Sequence, residues 1–121
     1  MRLLLLLTLL LSPLALAQDK TMYRHIVLFK FKDSAKAEQI TEIEKSFVAL
    51  PSKVKTITDF EWGKNVSPEN LNQGLTHCFV VTFKNKKDLE DYLVDPAHKA
   101  FVEKLLPILD KATVVDFVPE K

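Results

Sequence analysis

The sequence predicts an α+β fold with elements in the order β-α-β-β-α-β. Three observations carry that reading. Runs of alternating residues, rich in aromatic and β-branched side chains, mark strands near Tyr23, His77 and Val114. Between the first two lies an apolar stripe at spacings of three and four, the signature of a helix packed on one side. After the third strand a second helical pattern is broken by Asp95-Pro96. The order is that of the ferredoxin-like arrangement, a four-stranded antiparallel sheet with helices on one face. At 121 residues and 47% apolar composition, the chain holds one globular domain.

The elements follow in order. Tyr23–Lys32 reads as a strand with His25, Val27, Phe29 and Phe31 on one face and Arg24, Ile26, Leu28 and Lys30 on the other. Apolar residues on both faces predict cover on both sides. Asp33-Ser34 is a helix-capping signal. Ile40, Ile43, Phe47 and Leu50 form the stripe, and Pro51 marks its end. Val54–Trp62 has weaker strand character, and the segment from Gly63 to Gly74 is a polar loop. In Leu75–Phe83, His77, Phe79, Val81 and Phe83 share one face, opposite Cys78, Val80 and Thr82. Asn85 caps the next helix, whose inner face is Leu89, Tyr92 and Leu93. Pro96 suits the first position of a further helix carrying Ala97, Phe101, Val102, Leu105 and Leu106. Pro107 ends it, and Ala112–Val118 is the last strand.

Residues 1–17 read as a cleaved signal peptide. Met1-Arg2 supplies the positive start, Leu3–Leu11 a leucine core broken only by Thr8, and Ala15-Leu16-Ala17 the small-x-small cleavage pattern. The apolar stretch, roughly 15 residues, is shorter than the roughly 20 needed to span a bilayer. The domain then covers 18–121, and the protein is exported, periplasmic or secreted, with no membrane contact after cleavage.

Composition excludes several classes. Of 17 basic residues the leader holds only Arg2, leaving 16 against 16 acidic ones, so no charge excess favours nucleic acid. Two glycines leave no room for a Gly-rich phosphate loop, and no cofactor is expected. The single cysteine, Cys78, forms no intramolecular disulfide and reads as a small buried hydrophobe. No metal site is expected, because His98 and Asp95 lack a clear third ligand.

The chemistry-bearing residues are the three histidines and Tyr92. If the first and third strands run side by side and parallel, His25 and His77 meet at one end of the sheet. Tyr92 and His98 flank the helix break, a natural mouth for a pocket. The expected site is an apolar cavity lined by Phe29, Phe47, Phe79, Leu89 and Phe101, with His25, His77, Tyr92 and His98 converging on it. Imidazole exchanges a proton near neutral pH and a phenol polarises a carbonyl. The alternative reading makes these histidines backbone-bonded strand ends and Tyr92 plain core.

Four segments in order carry a family resemblance: His25–Lys32 with Asp33; Trp62-Gly63-Lys64-Asn65; Gly74-Leu75-Thr76-His77 leading into Val81-Thr82-Phe83; and Asp91-Tyr92-Leu93-Val94-Asp95-Pro96-Ala97-His98 with Phe101. From Tyr23 to about Lys121 the chain resembles the stress-responsive A/B barrel (Dabb) family of dimeric α+β barrels. The resemblance implies a homodimer with sheets packed face to face, which would cover Ile26, Leu28 and Val80. One member type is the plant polyketide cyclase that makes olivetolic acid. Similarity to it implies a catalytic pair at Tyr92 and His98 and pocket histidines at His25 and His77. This chain departs from the commoner His-Pro-x-His form by carrying Asp95. Three functions stay open: a stress-associated small-molecule binder, an acid/base enzyme on a small carbonyl compound (a cyclase, isomerase or decarboxylase), and a purely structural dimer.

Cleavage is expected after Ala17, leaving Gln18 first. The intact mass of exported protein checks this, and a retained Met1 contradicts it.

Overall fold

The computed structural model describes residues 22–120; the leader read in 1–17 lies outside them. The strands are β1 (Tyr23–Phe31), β2 (Ile57–Lys64), β3 (His77–Phe83) and β4 (Leu109–Phe117). The helices are α1 (Ala37–Lys53), α2 (Lys86–Val94) and α3 (Pro96–Leu105), with a short 3-10 turn at Leu106–Ile108. The sheet order is β2-β3-β1-β4 and every neighbouring pair is antiparallel.

That pairing corrects the parallel placement of the first and third strands. Crossover connections join β1 to β2 and β3 to β4, each passing over one intervening strand. The parallel partners are thus the non-adjacent strands, and β1 lies antiparallel to β3. Phe29 pairs with His77 and His25 with Val81. His25 and His77 therefore sit at opposite ends of the shared ladder, four residues apart, roughly 13 Å at the usual strand rise.

The alternation expected of β1 and β3 holds. His25, Val27, Phe29 and Phe31 are buried beneath the helices with His77, Phe79, Val81 and Phe83, while Ile26, Leu28, Cys78 and Val80 are half-exposed on the other face. Phe29, Phe47, Phe79 and Phe101 meet ring on ring. Phe47 stacks on Phe79 with centroids 4.2 Å apart and lies 4.7 Å from Phe101; Phe29 lies 5.4 Å from Phe79. With Leu89 they belong to one core cluster.

Several element ends differ from expectation for physical reasons. Asp33 and Ser34 form a turn, and α1 starts after Lys36, whose backbone N–H donates to the Gln39 side chain at 2.8 Å. Pro51 falls in the last turn, so α1 runs on to Lys53 and Val54 is its buried cap. Leu93 stands 41% exposed at the rim, because the chain turns away at Asp95. Leu106 leaves α3 for the 3-10 turn and is exposed. The helix break itself forms as expected. Asn85 Oδ1 accepts from Asp88 N–H at 2.9 Å to start α2, and Asp95 Oδ1 accepts from Ala97 N–H at 2.8 Å to start α3 behind Pro96. Among the described residues no helix is long and apolar enough to cross a membrane.

Phe79→Ala removes a fully buried ring that touches three other phenylalanine rings. The domain should lose about 3–5 kcal/mol, read by urea unfolding.

Candidate functional site

The second-helix break and the start of β1 bring three of the four expected polar side chains together. Tyr92, on α2, is 1% exposed. Its ring lies 4.4 Å from that of His98 and 6.0 Å from that of His25, with Phe83 behind it at 5.1 Å. Burial alone pushes the Tyr92 phenol well above its ordinary range, so it stays protonated and can act as a hydrogen-bond donor.

His98 occupies the first turn of α3. Its Nδ1–H donates to the Leu93 carbonyl at 3.2 Å. A carbonyl only accepts, so the proton sits on Nδ1, and in the neutral ring Nε2 keeps its lone pair. Burial lowers the His98 pKa and nearby His25 lowers it further; the Leu93 hydrogen bond and the Asp95 carboxylate act the other way. Asp95 does not reach into the cluster to pair with an imidazole. Its oxygen is spent on the cap of α3, which accounts locally for an aspartate at this position.

His25 is held from a third direction. Its Nδ1 lies 2.6 Å from Asp116 Oδ1, on the cross-strand partner in β4. Asp116 does not stand out in the sequence. The available signal is a lone carboxylate inside the apolar run Val114-Val115-Asp116-Phe117-Val118.

His77 does not join the cluster, which corrects the expected convergence of three histidines. It lies at the far end of β3. Its Nε2–H donates to Glu44 Oε2 at 2.8 Å, and the Thr76 hydroxyl donates to Nδ1 at 2.8 Å. Lys64 Nζ stands 3.6 Å from the same Glu44 oxygen. Trp62 and Phe79 stack along the ring and Phe31 meets it edge-on. With both nitrogens occupied, His77 ties α1 to β3. Phe29, Phe47, Phe79 and Phe101 likewise fill space with one another's rings.

The sheet face away from the helices carries a concavity of about 570 Å³, with Leu28, Cys78 and Val80 in its floor and Leu71 in its wall. Burial, then the Glu61 carboxylate, push the Cys78 thiol up, which makes it a poor nucleophile. Among the described residues no three His, Cys, Asp or Glu side chains gather as a metal site would require.

The fold and this cluster define a small ferredoxin-like protein that places proton-handling groups between a helix break and a strand start. Residues 23–119 match the model of the stress responsive A/B barrel domain, Dabb, and the chain belongs to that family. It is 39% identical over 102 residues to the stress-response A/B barrel domain-containing protein HS1 of Arabidopsis thaliana, covering 84% of this chain and 94% of that protein. It is 33% identical over 98 residues to olivetolic acid cyclase of Cannabis sativa, covering 81% and 97%. Among solved structures, hydroxynitrile lyase from Passiflora edulis shares the fold with a TM-score of 0.78 at 23% identity, covering 84% and 96%. A dimeric ferredoxin-like protein of unknown function from Bacteroides fragilis matches with a TM-score of 0.67 at 29% identity, covering 81% and 96%.

The lowered His98 pKa predicts a titration midpoint below the usual 6.5, read by NMR. A base whose folded pKa is depressed contributes its stability above the unfolded pKa and loses it as pH falls toward the folded one. Stability should therefore decline on acidification below about pH 6.5, and His98→Gln should remove that part of the decline.

Proposed function

We propose that this protein is an exported homodimer that binds a small apolar or carbonyl compound against His25, Tyr92 and His98. One observation carries the reading: a buried phenol lies between two imidazoles whose Nδ1 atoms are both committed to fixed acceptors. In the neutral rings each Nε2 is then an acceptor and Tyr92 is a donor, which suits a carbonyl compound with a transferable proton. The same lone pairs favour a second reading, acid/base turnover, with Tyr92 polarising the carbonyl and His98 moving the proton. The kinship to olivetolic acid cyclase supports that reading. The leucine-rich leader supports export.

The test compares wild type, Tyr92→Phe and His98→Gln for thermal stability and for affinity toward small molecules that co-purify, identified by mass spectrometry. Tyr92→Phe keeps the ring and should change stability by no more than about 1 kcal/mol, while binding falls roughly tenfold, the worth of one hydrogen bond. His98→Gln should spare the fold and much of the binding but abolish turnover. Both variants behaving as wild type toward every such compound would remove the site.

Dimerisation is proposed through the open sheet face. Ile26, Leu28 and Val80 sit there with Val115 and Phe117, the last two 52% and 44% exposed, and an apolar face of this kind marks an interface. The dimeric Bacteroides relative supports this. Sedimentation should give a dimer at micromolar concentration and a monomer for Leu28→Glu; a monomeric wild type contradicts it.

A further inference from the structure

Asp116 touches the candidate site from β4. Its register partner across the ladder is His25, so both side chains lie on the helix side of the sheet. The contact, at 2.6 Å, is short for a nitrogen–oxygen pair, as expected for a charge-assisted bond. The imidazole is 7% accessible and the carboxylate 31%. The buried ring is thus anchored by a charged group that keeps part of its own hydration, so the pair avoids the full cost of burying a carboxylate.

We infer that Asp116 is a positioning residue of this site, holding His25 in the Nδ1–H tautomer so that Nε2 is presented as the proton acceptor beside Tyr92. The inference rests on the reading of His25, Tyr92 and His98 as a ligand site. A carboxylate only accepts, so its partner nitrogen carries the proton. The nitrogen left bare is then set by the bond the other one makes. Leu93 does the same for His98 with a backbone carbonyl. Two unrelated elements, β4 and the end of α2, impose one tautomer on two imidazoles flanking one phenol. A pair serving only to fasten β4 to β1 would use the same Nδ1–H; what the candidate site adds is the Tyr92 ring, 6.0 Å from the imidazole that the bond holds.

Nitrogen-15 NMR of the imidazole side chains in the full domain tests this without a ligand. Neutral His25 in wild type should show Nδ1 protonated and Nε2 bare. Asp116→Ala should lower the ratio of that tautomer to the Nε2–H form roughly tenfold or more, the worth of a hydrogen bond to a charged group. Asp116→Glu should restore it in part. If the alanine variant does not fold, Asp116→Asn serves in its place, because an amide N–H donating to Nδ1 selects the Nε2–H form. Wild-type His25 protonated on Nε2, or a ratio unchanged in the variant, overturns the inference. If the tautomer responds as expected while Tyr92→Phe and His98→Gln leave binding untouched, the ligand-site reading fails and the effect of Asp116 on His25 stands by itself.

Discussion

The antiparallel pairing of β1 with β3 is the constraint on which the rest of the structure depends. It puts the two strand-start histidines at opposite ends of one ladder, with Val27–Phe29 and Phe79–Val81 between them. The aromatic core occupies that middle ground. One end is left for an anchor, His77 with Glu44 and Thr76, and the other for His25 facing Tyr92 and His98. The two ends differ in what their nitrogens do. At the anchor both are saturated by polar partners; at the candidate site each ring has its Nδ1 pinned, by Asp116 for His25 and by the Leu93 carbonyl for His98, and is flanked by a phenol. Saturation suits stability and an available lone pair suits proton transfer, so the same residue type serves different ends of one sheet.

The helix break is the second determinant. Pro96 cannot continue α2, since it lacks an N–H and clashes with the preceding turn, but it suits the first position of α3. Asp95 closes the join by capping Ala97. The turn leaves the Leu93 carbonyl near His98, so the irregularity that ends one helix also orients the imidazole opening the next. Tyr92 stays within α2, buried beside the break. Its position relative to His98 is thus encoded locally, within seven consecutive residues.

Most of the fold is legible in the sequence, and the reasons where it is not are physical. Period-two alternation in Tyr23–Phe31 and His77–Phe83 identifies both central strands and their buried faces, because one face is covered by helices and the other is less apolar. The break at Asp95-Pro96 is legible because proline and a capping aspartate act locally. The start of α1 at Lys36 is not, since its cap uses Gln39 rather than the side chain of a capping residue. Nor is the separation of His25 from His77, which depends on strand direction and not on parity. Asp116 escapes notice because a carboxylate in an edge strand looks like surface until its cross-strand partner is known. Membership of the stress responsive A/B barrel family agrees with the pattern of the four segments from His25 to Phe101.

The division of the sheet into a ligand end and an anchor end is most directly tested by exchanging one histidine at a time. His25→Gln and His77→Gln would be compared for unfolding free energy and for the amount of co-purifying small molecule retained. His77→Gln should lower stability and leave the bound compound in place, because it breaks the tie from β3 to Glu44 on α1. His25→Gln should keep most of the stability and lose the compound. A stable His77→Gln that has lost the compound, beside a His25→Gln that retains it, would contradict the division.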